Sequence, residues 1–158
     1  MNSIVVGIYT SAVAGRAMVP VAEATLETGK GVVGDRYYAG VGTFSKKLKG
    51  KPDVEVTLIE SEEIDPFNSE ECLSVPAGDF RRNIVTRGIR LNRLVGQQFR
   101  VGATLLEGLR LCEPCAHLAE FVGSKVLPAF VHRAGLRARI VSGGTVRLGD
   151  LIGGPIGV

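Results

Sequence analysis

Apolar and polar residues alternate most clearly at Val54-Glu55-Val56-Thr57-Leu58-Ile59, which predicts a strand. The run Ile4-Val5-Val6-Gly7-Ile8-Tyr9 predicts a first strand near the start of the chain. Weaker alternation over 19–28, with Pro20 near its start, predicts a second, followed by a Gly-rich and then basic loop over 31–51. Phe80 to Thr86 reads as a strand whose period of two puts Arg81, Asn83 and Val85 on one face and Arg82, Ile84 and Thr86 on the other. Leu91 to Gly96 reads as a turn. Gln98–Val101 and Thr104–Leu109 predict a hairpin across Gly102. Arg137–Ser142 and Thr145–Leu148 predict a closing hairpin over Gly143-Gly144, a favoured two-residue turn.

Helical signals are few and short. Glu60 to Phe67 predicts a helix with Ser61 as cap and acids crowding the first turn, where the helix dipole favours them. Ala116–Val122 predicts another, and Lys125–Arg133 a third, interrupted by Pro128. The 21 glycines are spread between short β-branched runs, so the expected class is mainly β, or β-rich α+β, with many tight turns. A length of 158 residues without a linker-like stretch predicts one domain.

Composition excludes several classes. At 45% apolar the chain is too hydrophobic for disorder. No apolar run reaches the roughly 18 residues of a membrane helix, so no membrane role is expected. Met1-Asn2-Ser3-Ile4 lacks the basic, apolar and cleavage regions of a secretory signal. Three cysteines (Cys72, Cys112 and Cys115), an odd and sparse count, fit a reducing compartment and a cytoplasmic location.

The net charge of +3 is unevenly placed. Positions 53–79 carry nine acids and no Lys or Arg, whereas positions 81–100 carry six arginines and no acid. Arginine's planar fork holds phosphate bidentately, which makes the second stretch a candidate anion site. The alternative is that these side chains are solvated or paired with the acidic segment. Nucleic acid is not expected as a partner, because the basic stretch is short, lacks interleaved aromatics and belongs to a chain with little helix.

The sharpest local motif is Leu111-Cys112-Glu113-Pro114-Cys115-Ala116-His117-Leu118, which follows a predicted strand and opens a predicted helix. Pro114 suits the first helical position, which would put Cys115 in the first turn, where free N–H groups and the dipole favour a thiolate. Four readings compete. A zinc half-site lacks partners with paired spacing, since only Cys72, His117 and His132 remain. A thioredoxin-type dithiol has the spacing but not the flanking βαβ pattern. Two small buried residues at a strand–helix corner are a structural reading, favoured for Cys72 and open for Cys112. A single reactive thiolate at Cys115, as ligand or carrier, is the fourth. His117 lies two residues on, which on a helix points to another face. His132 is expected to interact with a helix end.

The chain resembles the MOSC domain family, named for the C-terminal domain of molybdenum-cofactor sulfurase, in its stand-alone bacterial form. The resemblance rests on Gly31-Val32-Val33-Gly34-Asp35-Arg36, Val56-Thr57-Leu58-Ile59-Glu60 and Gly78-Asp79-Phe80-Arg81-Arg82-Asn83-Ile84-Val85-Thr86. It continues through Leu94-Val95-Gly96, Leu111-Cys112-Glu113-Pro114-Cys115, Gly135-Leu136-Arg137-Ala138-Arg139 and the run from Gly143 to Asp150. It implies a MOSC-type β-barrel with a few short helices and a role in molybdenum or sulfur chemistry. It implies Cys115 as molybdenum ligand or persulfide carrier, Arg81 and Asn83 lining a molybdenum-pterin cofactor and its phosphate, and Asp35 and Arg36 in a loop beside the same pocket. The enzyme it suggests reduces N-hydroxylated compounds with electrons from a partner protein. A sulfur carrier served by a cysteine desulfurase is the alternative, and a plain dithiol protein a third. No lysine stands in a Schiff-base context, so pyridoxal phosphate is not expected here. The loop Lys46-Lys47-Leu48-Lys49-Gly50-Lys51 either reaches a phosphate or is solvated, and Arg82 takes no role from the family.

Overall fold

The strongest alternation lies in the middle of the fold. In the computed structural model, which describes residues 2–156, Val56–Glu60 forms β5. Its first predicted residue belongs instead to a 3₁₀ turn over Pro52–Val54, where proline starts the helical φ. Ahead of it run β1 (Ile4–Thr10), β2 (Val19–Pro20), β3 (Glu23–Glu27) and β4 (Gly31–Val32). The single strand expected over 19–28 is therefore two short pieces. Val21 N–H donates to Ile8 O at 2.9 Å as the chain leaves β1's side, and β3 then pairs elsewhere.

After β5 come α1 (Ser61–Glu70), β6 (Ile84–Arg87), β7 (Gln98–Val101) and β8 (Thr104–Leu111). Then follow α2 (Ala116–Val122), α3 (Val126–Ala129), β9 (Leu136–Ser142), β10 (Gly144–Arg147) and β11 (Ile152–Gly153). Glu60, not Ser61, is the N-cap of α1; the Ser61 hydroxyl is spent on Glu62 at 3.3 Å. The third predicted helix shrinks to the four residues of α3, because Pro128 lies inside the expected span.

One sheet has eight strands in the order β11-β7-β8-β9-β5-β6-β1-β2, and a second has three in the order β10-β3-β4. The β7–β8 hairpin forms as expected, with Val101 opposite Thr104. The closing hairpin does not. β9 pairs with β8 and β5, and β10 crosses to β3 in the small sheet. At the crossing, Gly143 N–H donates to the Thr28 hydroxyl at 2.9 Å, and an added Cβ there would run into the carbonyl of Leu26. Among the described residues the chain is thus mainly β with three short helices, and the large sheet is not closed into a barrel. An isolated bridge joins Ile4 of β1, next to one end of that sheet, to Leu151, which precedes β11 at the other end.

Two cores flank the middle of the large sheet. Leu58 and Ile84 face a core shared with Phe99, Leu106, Leu136 and Ile140. Ile59 and Val85 face the helices, where Phe67, Phe80 and Phe130 pack with ring centroids 5.0–6.2 Å apart. The β5–β6 pair is parallel and buried on both sides, as such pairs require. Gly135, at φ +110°, lets the chain pass against the Leu58 carbonyl as it enters β9. No helix among the described residues is long and apolar enough to cross a membrane.

Candidate functional site

The 3₁₀ turn over Ala77–Phe80 ends at Arg81 in the left-handed conformation, at φ +64°. β6 therefore begins only at Ile84, and the alternation expected over 80–86 does not operate at Arg81 to Asn83. The turn aims the Arg81 side chain into the protein. Its Nη1 donates to the Arg16 carbonyl at 2.6 Å, and its guanidinium lies 4.3 Å from the centre of the Phe121 ring.

The loop after β4 delivers a second arginine. Arg36 N–H donates to Ser11 O at 2.7 Å. Asp35 Oδ1 accepts from Ser11 N–H and from Arg36 Nη1, each at 3.1 Å, and the guanidinium stacks 4.7 Å from the Tyr37 ring centre. Asp35 stands behind the site, orienting Arg36. Both arginines are 4% exposed. Among the described residues, Arg36 Nε and Arg81 Nε and Nη2 are buried with no hydrogen-bond acceptor. Burial, and then the positive charge of Arg36, pushes the Arg81 guanidinium below its ordinary value.

Asn83 is a cross-link. Its Nδ2 donates to Tyr9 O at 3.2 Å, and its Oδ1 accepts from Thr57 N–H at 3.2 Å and from the Thr57 hydroxyl at 3.3 Å. Those bonds tie β1 to β5 where β6 begins, so Asn83 sets the floor of the site more than it offers donors to a ligand.

The Cys112–Cys115 loop forms the opposite wall. Cys112 is 1% exposed and its N–H donates to Gly135 O at 2.8 Å, a structural thiol. Glu113 accepts from His132 N–H at 2.7 Å and pairs with His132 Nδ1 at 2.6 Å. The partner of His132 is thus this loop and not a helix end. Cys115 is extended (φ −141°) and is the N-cap of α2, with Pro114 outside the helix, so it is not in the first turn as expected. Its carbonyl takes the Ala119 N–H at 3.0 Å, and the half-buried residue lines the cavity while packing against the apolar core beneath the helices. Cys72, expected buried, is exposed at the end of α1 at φ +53°.

These walls enclose a cavity of about 200 Å³ onto which Cys115, Arg81, Arg36 and Asn83 all open. Three further arginines that the sequence reading did not place there, Arg82, Arg110 and Arg137, also line it. Of the six arginines in 81–100, only Arg81 and Arg82 reach it; Arg87, Arg93 and Arg100 are exposed elsewhere, and Arg90 sits 3.8 Å from Glu60 of the acidic segment. His117 lines the cavity as well, with its ring nitrogens toward Thr43 at 3.5 Å and Glu120 at 3.8 Å. Its ring lies between Phe44 and Phe121, and burial and Arg81 push its pKa down against the pull of Glu120. The lysines of the 46–51 loop are exposed while Leu48 is buried. That loop walls a second cavity of about 440 Å³, which shares Tyr37 and Val54 with the first. No group of three or more metal-ligating His, Cys, Asp or Glu occurs among the described residues.

A family model described as the MOSC domain matches residues 45–153. Among solved structures, the YuaD protein of Bacillus subtilis superposes with a TM-score of 0.78 at 16% identity, covering 96% of this chain and 94% of that one. YiiM of Geobacillus stearothermophilus gives 0.66 at 19% identity over 95% and 71% of the two chains. YiiM of Escherichia coli gives 0.65 at 23% over 96% and 68%. No curated protein matches the chain.

Proposed function

The chain belongs to the MOSC domain family, and from that premise we propose that its arginine-walled cavity binds a molybdenum-pterin cofactor with Cys115 as the protein's thiolate ligand. The observation that carries this is a half-buried cysteine lining the same cavity as two guanidinium groups, three of whose buried nitrogens have no acceptor among the described residues. Unpaired buried donors cost free energy and are found where a ligand completes them. The donor set suits this group: a soft thiolate for the metal and guanidinium for a phosphate. A volume of about 200 Å³ lies below the roughly 300–1,000 Å³ of whole-ligand pockets, so it takes the charged end of a large cofactor.

Arg36 and Arg81 hold the anionic tail, Asp35 and Asn83 fix the surfaces from which they act, and Cys115 donates its sulfur. The Glu113–His132 pair holds the loop that presents that sulfur. The bound group supplies a metal that changes oxidation state by two electrons. The reaction class taken from the family resemblance is reduction of an N-hydroxylated compound. Its N–O bond breaks, two electrons arrive from a donor protein, two protons are taken up, and the oxygen leaves as water. The same reading takes the fold as the family's barrel, supported by the bridge from Ile4 of β1 to Leu151 just before β11, and the location as cytoplasmic.

The test is elemental analysis of protein from cofactor-replete cells beside Cys115→Ala and Arg81→Met. Molybdenum that co-purifies with the wild type and is lost from both variants supports the assignment; equal metal in all three removes it. Intact mass on the same samples tests the sulfur-carrier alternative. A gain of about 32 Da on Cys115 after treatment with a cysteine desulfurase, in protein without molybdenum, replaces the ligand role with a persulfide.

A further inference from the structure

Arg110 of β8 and Arg137 of β9 are direct cross-strand neighbours. Like charges opposite one another in an antiparallel ladder destabilise it. Here they sit at a register shift between Gly108 and Arg110, a local bulge of the kind that re-aims side chains beside functional sites. A single residue serves both, with different atoms: the Asp53 carboxylate Oδ2 accepts from Arg110 Nε at 2.6 Å, and the Asp53 backbone carbonyl accepts from Arg137 Nη1 at 3.1 Å. Arg137 Nε is buried without an acceptor among the described residues. Arg82 lines the same cavity with its Nε donating to Ala134 O at 2.9 Å, and its two terminal nitrogens have no acceptor among the described residues.

This cluster has its own anchor in the shared cavity: Arg110 and Arg137 are bonded to Asp53, whereas Arg36 is bonded to Asp35 and Arg81 to the Arg16 carbonyl. Three guanidinium groups stand against Asp53 and against Glu113, which lines the same cavity and is bonded to His132, so the cluster keeps a positive surplus. A phosphate monoester, at about −1.5 to −2 at neutral pH, answers that surplus more fully than a carboxylate does. The second cavity gives the organic part of such a molecule somewhere to lie. It shares Val54, the residue after Asp53, with the first, and Tyr37, Leu48 and Val54 supply apolar surface.

We infer that Arg110 and Arg137, pinned by Asp53 and assisted by Arg82, form a second anion clamp that holds a phosphate-monoester group on the substrate, whose body occupies the neighbouring cavity. This rests on the reading that Cys115 and the Arg36–Arg81 wall hold the cofactor. The substrate class is thus an organic phosphate, with its reducible group carried on the same molecule.

Calorimetric titration of the protein as purified with phenyl phosphate and with benzoate tests the clamp, with molybdenum per chain measured on each sample. Phenyl phosphate is expected to bind at least about tenfold tighter than benzoate, and Arg110→Gln and Arg137→Gln each to weaken it about tenfold or more, the scale of a lost charge-assisted bond. Both variants should keep the wild-type molybdenum content. If Arg137→Gln does not fold, Arg110→Gln decides, because that side chain is 52% exposed. Equal binding of benzoate, or phenyl phosphate affinity within about twofold of wild type in a folded variant, overturns the clamp. Molybdenum lost from the variants gives the pair to the cofactor and overturns the substrate assignment. Absence of molybdenum from every sample, wild type included, while the variants still lose phenyl phosphate, supports the clamp and refutes the cofactor reading instead.

Discussion

Replacing Arg81 by Met should leave the protein about as stable as before while removing its ability to retain the cofactor. A buried arginine with satisfied partners normally costs about 3–5 kcal/mol to break. Arg81 is different, because two of its buried nitrogens have no acceptor among the described residues. Unpaired buried donors cost about 1–3 kcal/mol each, and both vanish in the variant. Against that stand one charge-assisted bond to Arg16 O, worth about 1.5–3 kcal/mol, and the contact with Phe121, worth about 0.5–2 kcal/mol. The midpoints nearly cancel. Met also keeps an unbranched stem and a favourable sulfur–aromatic contact, and it relieves the repulsion from Arg36. The left-handed backbone at φ +64° stays the same in both proteins, so it drops out of the comparison. The assay is urea unfolding of cofactor-free protein by linear extrapolation. The expected difference is within about 1 kcal/mol, or about 2–4 °C in melting temperature for a chain of this size. A loss of more than about 3 kcal/mol would show that Arg81 is a satisfied structural cation, and would refute the argument that its free N–H groups await a ligand.

Other expectations follow from the same geometry. Burial raises the Glu55 carboxyl above its ordinary value of 4.5, so the folded state holds its proton more tightly than the unfolded chain does. Stability should therefore fall as pH rises from about 4.5 through the raised folded value. Glu55→Gln, which keeps the acceptor for the Ile140 N–H, should reduce that slope to the part left by Glu60, whose carboxyl burial also raises, and be at least as stable as wild type at pH 7 in parallel urea melts. Gly135→Ala should cost about 3 kcal/mol or more, since a Cβ meets the Leu58 carbonyl at a positive φ; an unchanged melting temperature would contradict the close approach there. In folded, cofactor-free protein a disulfide reagent should label Cys72 and Cys115 but not Cys112, and Cys72→Ser should leave one reactive thiol; rapid labelling of Cys112 would argue against its burial.

The candidate site was half legible. Cys115 stood out because a C-x-x-C with an intervening proline at a strand–helix corner is a local pattern, and the cavity does open onto it. Arg81 stood out too, but for a reason the structure replaces. The expected alternation would have sent Arg82 to the far side of the sheet, yet the left-handed turn brings Arg81, Arg82 and Asn83 to one cavity. The charge run over 81–100 pointed to a single anion site, and four of its six arginines lie away from the cavity. Arg36, Arg110 and Arg137 complete the site from a loop and two distant strands. Arg36 and Arg137 fall in segments that carry the family resemblance, whereas Arg110 lies just outside them and left no trace in the sequence.

What the sequence by itself determined is the local layer: where β1, β5, β7, β8 and α2 lie, that the chain is mainly β, and which thiol stands at a corner. Those depend on backbone preference and on a side-chain period of two or 3.6, which neighbouring residues set among themselves. Only the tertiary structure decided that β10 leaves β9 for β3, that Cys112 is sealed while Cys115 is open, and that five arginines from separate segments share one cavity. Strand partners and pocket walls are chosen by which surfaces bury each other across the whole chain. Nothing within a few residues of Arg110 could state that Arg137 would lie beside it.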